Sequence, residues 1–322
     1  MRDKSHLRRW TVLVSAPRAI QVIERYTTEL GAAGCDVIVR SSVERLEESE
    51  LLPVVGEIDA IICGDDRISS RVLDAAPRLR VIAKWGTGMD SIDVTSARAR
   101  GVAVSNSPGA FSDPVADTVM GYVLLFARRL DAMAADMRAG RWQRQQLLSL
   151  KECTLGIVGL GQIGSAVARR AAAFGMRILV STIPGSQADG VLEPAPESVP
   201  LDFLLEESDF VTLHCDLRAG NRNMIDANRL ARMKPSAILI NTARGGLVDE
   251  AALVMALRAR RLAGAALDVF EVEPLDADSP LRRLQNVYLG PHNANASVEA
   301  AEQVHANCIR QVISALLGAE TR

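Results

Sequence analysis

Thr154-Leu155-Gly156-Ile157-Val158-Gly159-Leu160-Gly161-Gln162-Ile163-Gly164 is a short apolar run that gives way to glycines, and the Ala-rich segment 165–174 follows it. An apolar run of this length reads as a buried strand and the segment behind it as a helix. GxGxxG placed between the two is what a dinucleotide-binding turn requires. Gly159 permits the tight turn, Gly161 the close approach of a pyrophosphate, and Gly164 the packing of helix on strand. The helix start, at Gln162 and Ile163, offers amide groups and the positive end of its dipole to the phosphates. Glycines in a strand-to-helix turn are also often only structural, so the motif gains its meaning from the sheet around it.

That sheet is legible on the C-terminal side. Strand-like runs recur at residues 177–180, 210–213, 237–241, 264–268 and 287–290. Together with 155–158 they make six parallel strands, a complete dinucleotide-binding sheet. Toward the N-terminus, strands are expected at 11–15, 36–40, 60–63, 81–84 and 102–104, with helices between them such as 18–30. This alternation predicts the α/β class, with two doubly wound parallel-sheet domains. A long helix over 113–138, with Asp113 as its cap and Pro114 at its first position, suits a connection between lobes. The final helix, 298–317, falls outside the sixfold count and is expected to return to the first lobe. The domain boundaries expected are 1–107 with 296–322 for one and 108–295 for the other. Pro and Gly collect in 184–200, which predicts an irregular surface loop.

Composition bounds the function. The 322 residues, 48% hydrophobic and 24% charged, with 37 basic against 39 acidic side chains, describe a soluble globular protein without the charge imbalance of a nucleic-acid or membrane binder. No signal peptide and no spanning segment is evident, so a cytoplasmic location is expected. Cys35, Cys63, Cys153, Cys215 and Cys308 are scattered with no CxxC pair, and no metal site is expected.

Three polar side chains each follow a strand of the second sheet: Arg244, Glu273 and His292. In open α/β sheets, ligands bind outside the carboxyl ends of the strands. Reduction of a 2-keto acid needs a cation for carboxylate and carbonyl, a proton donor for the developing alkoxide, and an acid that keeps the donor protonated. Arg, His and Glu supply these roles in that order. The plainer readings are a loop-capping arginine, a turn glutamate ahead of Pro274 and a satisfied loop histidine. His214 ends a strand near the cofactor face and is the one rival proton donor; His6 and His305 read as surface residues.

These segments resemble the D-isomer-specific 2-hydroxyacid dehydrogenases over nearly the whole chain. The resemblance rests on the glycine turn 159–164, on Met233-Lys234-Pro235 leading to Asn241-Thr242-Ala243-Arg244-Gly245, on Ala266-Leu267-Asp268-Val269-Phe270-Glu271-Val272-Glu273-Pro274, and on Pro291-His292. It implies a flavodoxin-like substrate domain beside a Rossmann domain, and the same Arg, Glu and His roles. It also implies that Asp268, Thr242 and Ala243 lie near the nicotinamide, with Cys215 along the cofactor. Lys84-Trp85-Gly86-Thr87-Gly88-Met89-Asp90 looks like the family's substrate loop, in which the amides of Thr87 and Gly88 take the carboxylate. Ser107-Pro108-Gly109-Ala110-Phe111-Ser112-Asp113 with Ala116-Asp117 looks most like the glyoxylate and hydroxypyruvate reductase branch, beside which a phosphoglycerate dehydrogenase-like assignment stands. A homodimer acting on a small 2-keto or 2-hydroxy acid is the implied assembly.

Two departures bear on specificity. An acidic residue about 20 positions past the glycine turn normally accepts the adenosine ribose hydroxyls. Here the second strand ends Val180-Ser181-Thr182-Ile183-Pro184, so Asp189 or a main-chain group takes that place with NAD, or NADP is accepted. After His292 come Asn293-Ala294-Asn295-Ala296, whose amides either contact a polar substrate or cap the next helix. Two other functions share the fold: a cofactor-sensing interaction protein, and a dehydrogenase of formate or phosphite.

Overall fold

In the computed structural model, which describes residues 9–182 and 195–318, the chain forms two compact units, Met1–Ala110 with Ser297–Arg322 and Phe111–Ala296. The first holds strands β1 (Trp10–Val14), β2 (Cys35–Val39), β3 (Ala60–Cys63), β4 (Val81–Lys84) and β5 (Ala103–Ser105). Helices α1 (Pro17–Ile20), α2 (Thr27–Ala32), α3 (Glu48–Leu51), α4 (Ser70–Asp74) and α5 (Val94–Ala99) connect them. All strands pair in parallel in the order β2-β1-β3-β4-β5, the flavodoxin-like winding. β3 and β4 are buried along their whole length, as strands covered on both faces must be. Leu13, Ile61, Ile82, Val72, Leu73 and Val102 build the core on one side of this sheet. Each such aliphatic side chain contributes about 1.5–3 kcal/mol by leaving water.

The second unit opens with α6 (Ser112–Arg128) and α7 (Leu130–Arg138). It continues through β6 (Thr154–Val158), α8 (Gln162–Ala173), β7 (Arg177–Ser181), β8 (Glu197–Ser198), α9 (Leu201–Glu207), β9 (Phe210–Leu213), α10 (Ala227–Arg232), β10 (Ile238–Asn241), α11 (Glu250–Arg258), β11 (Gly264–Leu267) and β12 (Val287–Leu289). The strand order β12-β11-β10-β9-β6-β7-β8 is the Rossmann winding with one strand added at the edge. The final helix, α12 (Val298–Gly318), packs on β3 and β4 of the first unit. Among the described residues no helix is long and apolar enough to cross a membrane.

Several expectations need correction. The helix expected over 18–30 is divided, because Val22 leaves the helical basin and Ile23–Tyr26 form a tighter 3-10 turn that buries Ile23. β-branched Val22 and Ile23 give little resistance to that break. The helix expected over 113–138 breaks at Arg129, which adopts a left-handed conformation (φ 47°, ψ 41°). Propensity is blind to such a residue, because the side chains on either side favour helix equally. α6 begins at Ser112 without a side-chain cap, and Asp113 instead pairs with Arg170 on α8 at 2.9 Å, beside Asp117 at 2.7 Å. The strand at 287–290 is the seventh of its sheet and not the sixth, since Glu197–Ser198 adds a two-residue edge strand inside a stretch expected to be loop. Residues 184–194 of that stretch, including Asp189, and His6 lie outside the described residues.

Candidate active site

β6 delivers the chain to the glycine turn. Gly159 adopts φ +97°, and a Cβ there would stand 2.9 Å from the His214 carbonyl, so the turn and the end of β9 are in backbone contact. A Cβ on Gly164 would meet the Gly159 oxygen at 2.1 Å, the close helix-to-strand packing expected of the third glycine. Gly161 behaves differently. It is extended (φ −77°, ψ −163°), and no described atom lies within 4 Å of the place its Cβ would occupy. Protein packing therefore does not demand glycine at 161; the open space above it fits a bound diphosphate. Among the described residues no side chain caps α8, so its first turn presents Gln162 and Ile163 amides at the same spot.

The remaining cofactor candidates fall on neighbouring strand ends. Thr242 follows β10, and its buried hydroxyl has no hydrogen-bond partner among the described residues, which a ligand at that place would supply. Ala243 N–H is taken by Asn241 Oδ1 at 3.1 Å. Thr182 is exposed just past β7. Cys215 stands beside Gly159 through its backbone, while its thiol turns into the core against Met224 and burial pushes its pKa up to about 11. His214 shares a 2.9 Å hydrogen bond with Thr212. Burial lowers its pKa to about 3, so it stays neutral and offers no imidazolium proton.

The three acid-base candidates sit on consecutive strand ends, and backbone contacts tie their loops together. Asn241, buried at the end of β10, accepts the Ala243 amide and donates to the Arg244 carbonyl at 2.9 Å, clamping the arginine's loop. Gly245 lies so close to the Phe270–Glu271 peptide that no other residue fits: a Cβ would be 1.9 Å from the Phe270 carbonyl carbon. Phe270 N–H in turn donates to Glu273 Oε1 at 2.9 Å. Glu273 Oε2 holds His292 Nδ1 at 2.8 Å, with both side chains mostly enclosed. One continuous chain of contacts thus runs from Arg244 to His292.

Asp268 secures the far side of His292. Its carboxylate is buried and accepts the amides of Asn293 (3.0 Å) and Ala294 (2.7 Å), while its carbonyl takes the His292 amide at 2.7 Å. Burial raises its pKa, and the two amide bonds oppose that rise. His292 is held with φ +51°, a conformation few non-glycine residues adopt without such support. Sequence reasoning missed Asn241 and gave Asp268 no scaffolding part; a polar residue closing an apolar strand was the available signal. The capping part weighed for Asn293 and Asn295 belongs instead to Ser297, whose hydroxyl accepts the Ala300 amide at 3.3 Å.

In the first unit, Trp85–Asp90 follow β4. Ser107 N–H donates to Gly86 O at 3.0 Å, and Asn106 Nδ2 donates to Thr87 O at 2.7 Å. In a trans peptide the carbonyl and the next amide point in opposite directions. Holding these two carbonyls therefore turns the amides of Thr87 and Gly88 together to the other side. His305, expected at the surface, is buried against Trp85 instead.

Residues 120–294 match the family model described as D-isomer specific 2-hydroxyacid dehydrogenase, NAD binding domain. A glyoxylate reductase of Thermofilum pendens is 40% identical over 292 residues, 88% of this chain and 86% of its own. A hydroxypyruvate reductase of Thermotoga maritima is 36% identical over 278 residues, covering 85% and 90% respectively. Among solved structures, a D-lactate dehydrogenase of Aquifex aeolicus complexed with NAD and lactic acid superposes with a TM-score of 0.85 at 26% identity, over 96% of both chains. With two doubly wound sheets, a glycine turn shaped for a dinucleotide and a Glu–His pair on adjoining strand ends, the chain belongs to the D-isomer-specific 2-hydroxyacid dehydrogenase family.

Proposed function

We propose that this member of the family interconverts a small 2-keto acid of the glyoxylate or hydroxypyruvate type and the corresponding D-2-hydroxy acid. The observation that carries the reading is the 2.8 Å Glu273–His292 pair, fixed at one end by the Phe270 amide and at the other by Asp268. A bound nicotinamide dinucleotide supplies or takes up the hydride at C2. Arg244 binds the carboxylate and polarises the C2 carbonyl, since a guanidinium offers a fork of donors that matches two oxygens. With Nδ1 committed to Glu273, His292 exchanges the proton of the C2 oxygen through Nε2. The amides of Thr87 and Gly88, turned to one side by Asn106 and Ser107, take the substrate carboxylate. The first unit is thus the substrate-binding one. The expected result is oxidation of NADH with glyoxylate and hydroxypyruvate, read by absorbance; failure with these, with 3-phosphohydroxypyruvate and with pyruvate removes the proposal.

For the cofactor, Gly159, Gly161, Gln162, Ile163 and Gly164 cradle the diphosphate, and Thr242, Ala243, Cys215 and Asp268 border the rest of the dinucleotide. Gly161→Ala separates this role from packing. Its Cβ meets nothing in the protein, so the melting temperature is expected to hold. The methyl group intrudes on the diphosphate, and the Kd for NADH, measured by fluorescence titration, is expected to rise about tenfold or more. Thr182 brings no carboxylate against a 2′-phosphate, so NADPH is accepted beside NADH, which the ratio of their kcat/KM values tests.

The assembly we propose is a homodimer formed through α7 and the segment after it. No residue of α7 is buried, and Leu130, Met137, Trp142 and Leu148 are exposed. Light scattering is expected to give twice the 34.7 kDa chain mass, and the double change Leu130→Asp with Met137→Asp to give the chain mass alone. Five free, buried thiols suit a reducing compartment, and we place the protein in the cytoplasm.

A further inference from the structure

Trp85 is the first residue of the loop that presents the Thr87 and Gly88 amides, and it is nearly fully buried. Its backbone amide is tied to Cys63 O at 2.8 Å, and its indole Nε1–H donates to His305 Nδ1 at 2.9 Å. Indole nitrogen is a donor only, so Nδ1 must be the acceptor and His305 must be the neutral imidazole with its proton on Nε2. The same helix reaches the loop's other support: Asn307 Nδ2 donates to Ser107 Oγ at 2.9 Å, and Ser107 in turn holds the Gly86 carbonyl. We propose that α12, through neutral His305, is the positioning element for the substrate carboxylate, holding Trp85 so that the Thr87 and Gly88 amides stay aimed at one point. The proposal rests on the carboxylate-binding part assigned above to those two amides.

Protonation of His305 would remove the acceptor, and among the described residues the carboxylate that favours the imidazolium is Glu302, whose charge is shared with an arginine. Glu302 on the same helix is already paired with Arg25 at 2.8 Å, and the Arg18 guanidinium sits 5.6 Å from the centre of the Trp85 ring. Lys84 lies behind, bonded to Gly64 O and Asp65, and Cys308 and Tyr26 are neutral groups whose pKa values burial raises. The hollow beside the pair is lined by Val22, Ile23, Ile62 and Ile309. Burial lowers the His305 pKa beneath its ordinary 6.5, and the two arginines reinforce that against the opposing influence of Glu302. The Trp85–His305 bond is therefore intact above pH 6.5 and lost as pH falls through the lowered value. Carboxylate capture should weaken on that acid side, whereas hydride transfer to a keto acid calls for a protonated His292, so KM and kcat are expected to part company there.

The experiment is steady-state kinetics from pH 5 to 8 on the full-length enzyme and three variants, with hydroxypyruvate and NADH. His305→Phe keeps an aromatic ring and removes the acceptor; we expect the hydroxypyruvate KM to rise on the order of tenfold at neutral pH, with kcat and the NADH KM little changed. His305→Gln keeps an acceptor that does not titrate; its KM should match the wild type at pH 8 and lose the acid-side rise. An unchanged KM in a His305→Phe enzyme of wild-type melting temperature, or an undiminished acid-side rise in His305→Gln, overturns the proposal. Gly88→Pro, which deletes an amide, separates the two assignments. A raised KM in Gly88→Pro beside a normal one in His305→Phe refutes only the positioning by His305, while a normal KM in Gly88→Pro refutes the carboxylate assignment beneath it.

Discussion

His292→Gln is expected to lower kcat for hydroxypyruvate reduction by about 10²–10⁴-fold, the range a general acid contributes. Gln keeps a polar group of similar reach, and its side-chain amide N–H can still donate to Glu273, so the loop stays in place. What disappears is the exchangeable proton at the second ring nitrogen. The backbone of residue 292 is held through its own amide on the Asp268 carbonyl and through the next two amides on the Asp268 carboxylate, none of which the substitution touches. NADH affinity and melting temperature should therefore match the wild type. Stopped-flow hydride transfer with NADH and its deuterated form locates the loss in the chemical step. A fall in NADH affinity equal to the fall in kcat would remove His292 from the acid's role. His214 does not take over, because burial keeps it neutral throughout the working pH range.

The second large effect is structural and is expected at Gly245→Ala. The added Cβ would stand 1.9 Å from the carbonyl carbon, 2.0 Å from the carbonyl oxygen of Phe270 and 2.5 Å from the Glu271 nitrogen. These are backbone atoms in the turn that delivers Glu273, so relief requires the two loops to part. A cost of about 3 kcal/mol or more follows for such a clash, equivalent to a fall in melting temperature of roughly 10 °C for a unit of this size. Activity should suffer further, since separating Arg244 from the Glu273–His292 pair by about 1 Å costs on the order of 100-fold. Gly121→Ala is the matched control. That glycine lies exposed in α6 with nothing described within 4 Å of its Cβ position, so alanine there should raise stability by about 0.5–1 kcal/mol. Equal behaviour of the two variants in thermal unfolding would show that the contact at Gly245 is absent in solution.

Most of the fold and much of the candidate site are legible in the chain because they are local. An apolar run, a glycine turn and an Ala-rich segment specify strand, turn and helix at 154–173 with no reference to the rest of the molecule. The strand ends of the second sheet follow the same rule, so Arg244, Glu273 and His292 are found by their position just past β10, β11 and β12. Where the sequence reading failed, the deciding interaction is distant or conformational. Arg129 breaks a helix through a left-handed backbone that its side chain does not announce. Glu197–Ser198 become a strand only because β7 lies alongside to pair with them.

His305 is the clearest case. In the sequence it is one polar residue on a helix of mixed face, and a surface place is the ordinary expectation. Its partner, Trp85, lies 220 residues away, and only the return of α12 onto β3 and β4 brings indole and imidazole together. Asp268 and Asn241 are similar: a polar residue closing a buried strand has to satisfy its hydrogen bonds, but which amides it meets depends on loops elsewhere in the chain. The sequence by itself determined the α/β class, the dinucleotide turn and the candidates proposed for the acid-base residues, because spacing and residue type encode them. Tertiary structure alone decided which groups hold those residues still, because a buried hydrogen bond is made between whatever partners the packed fold brings within about 3 Å.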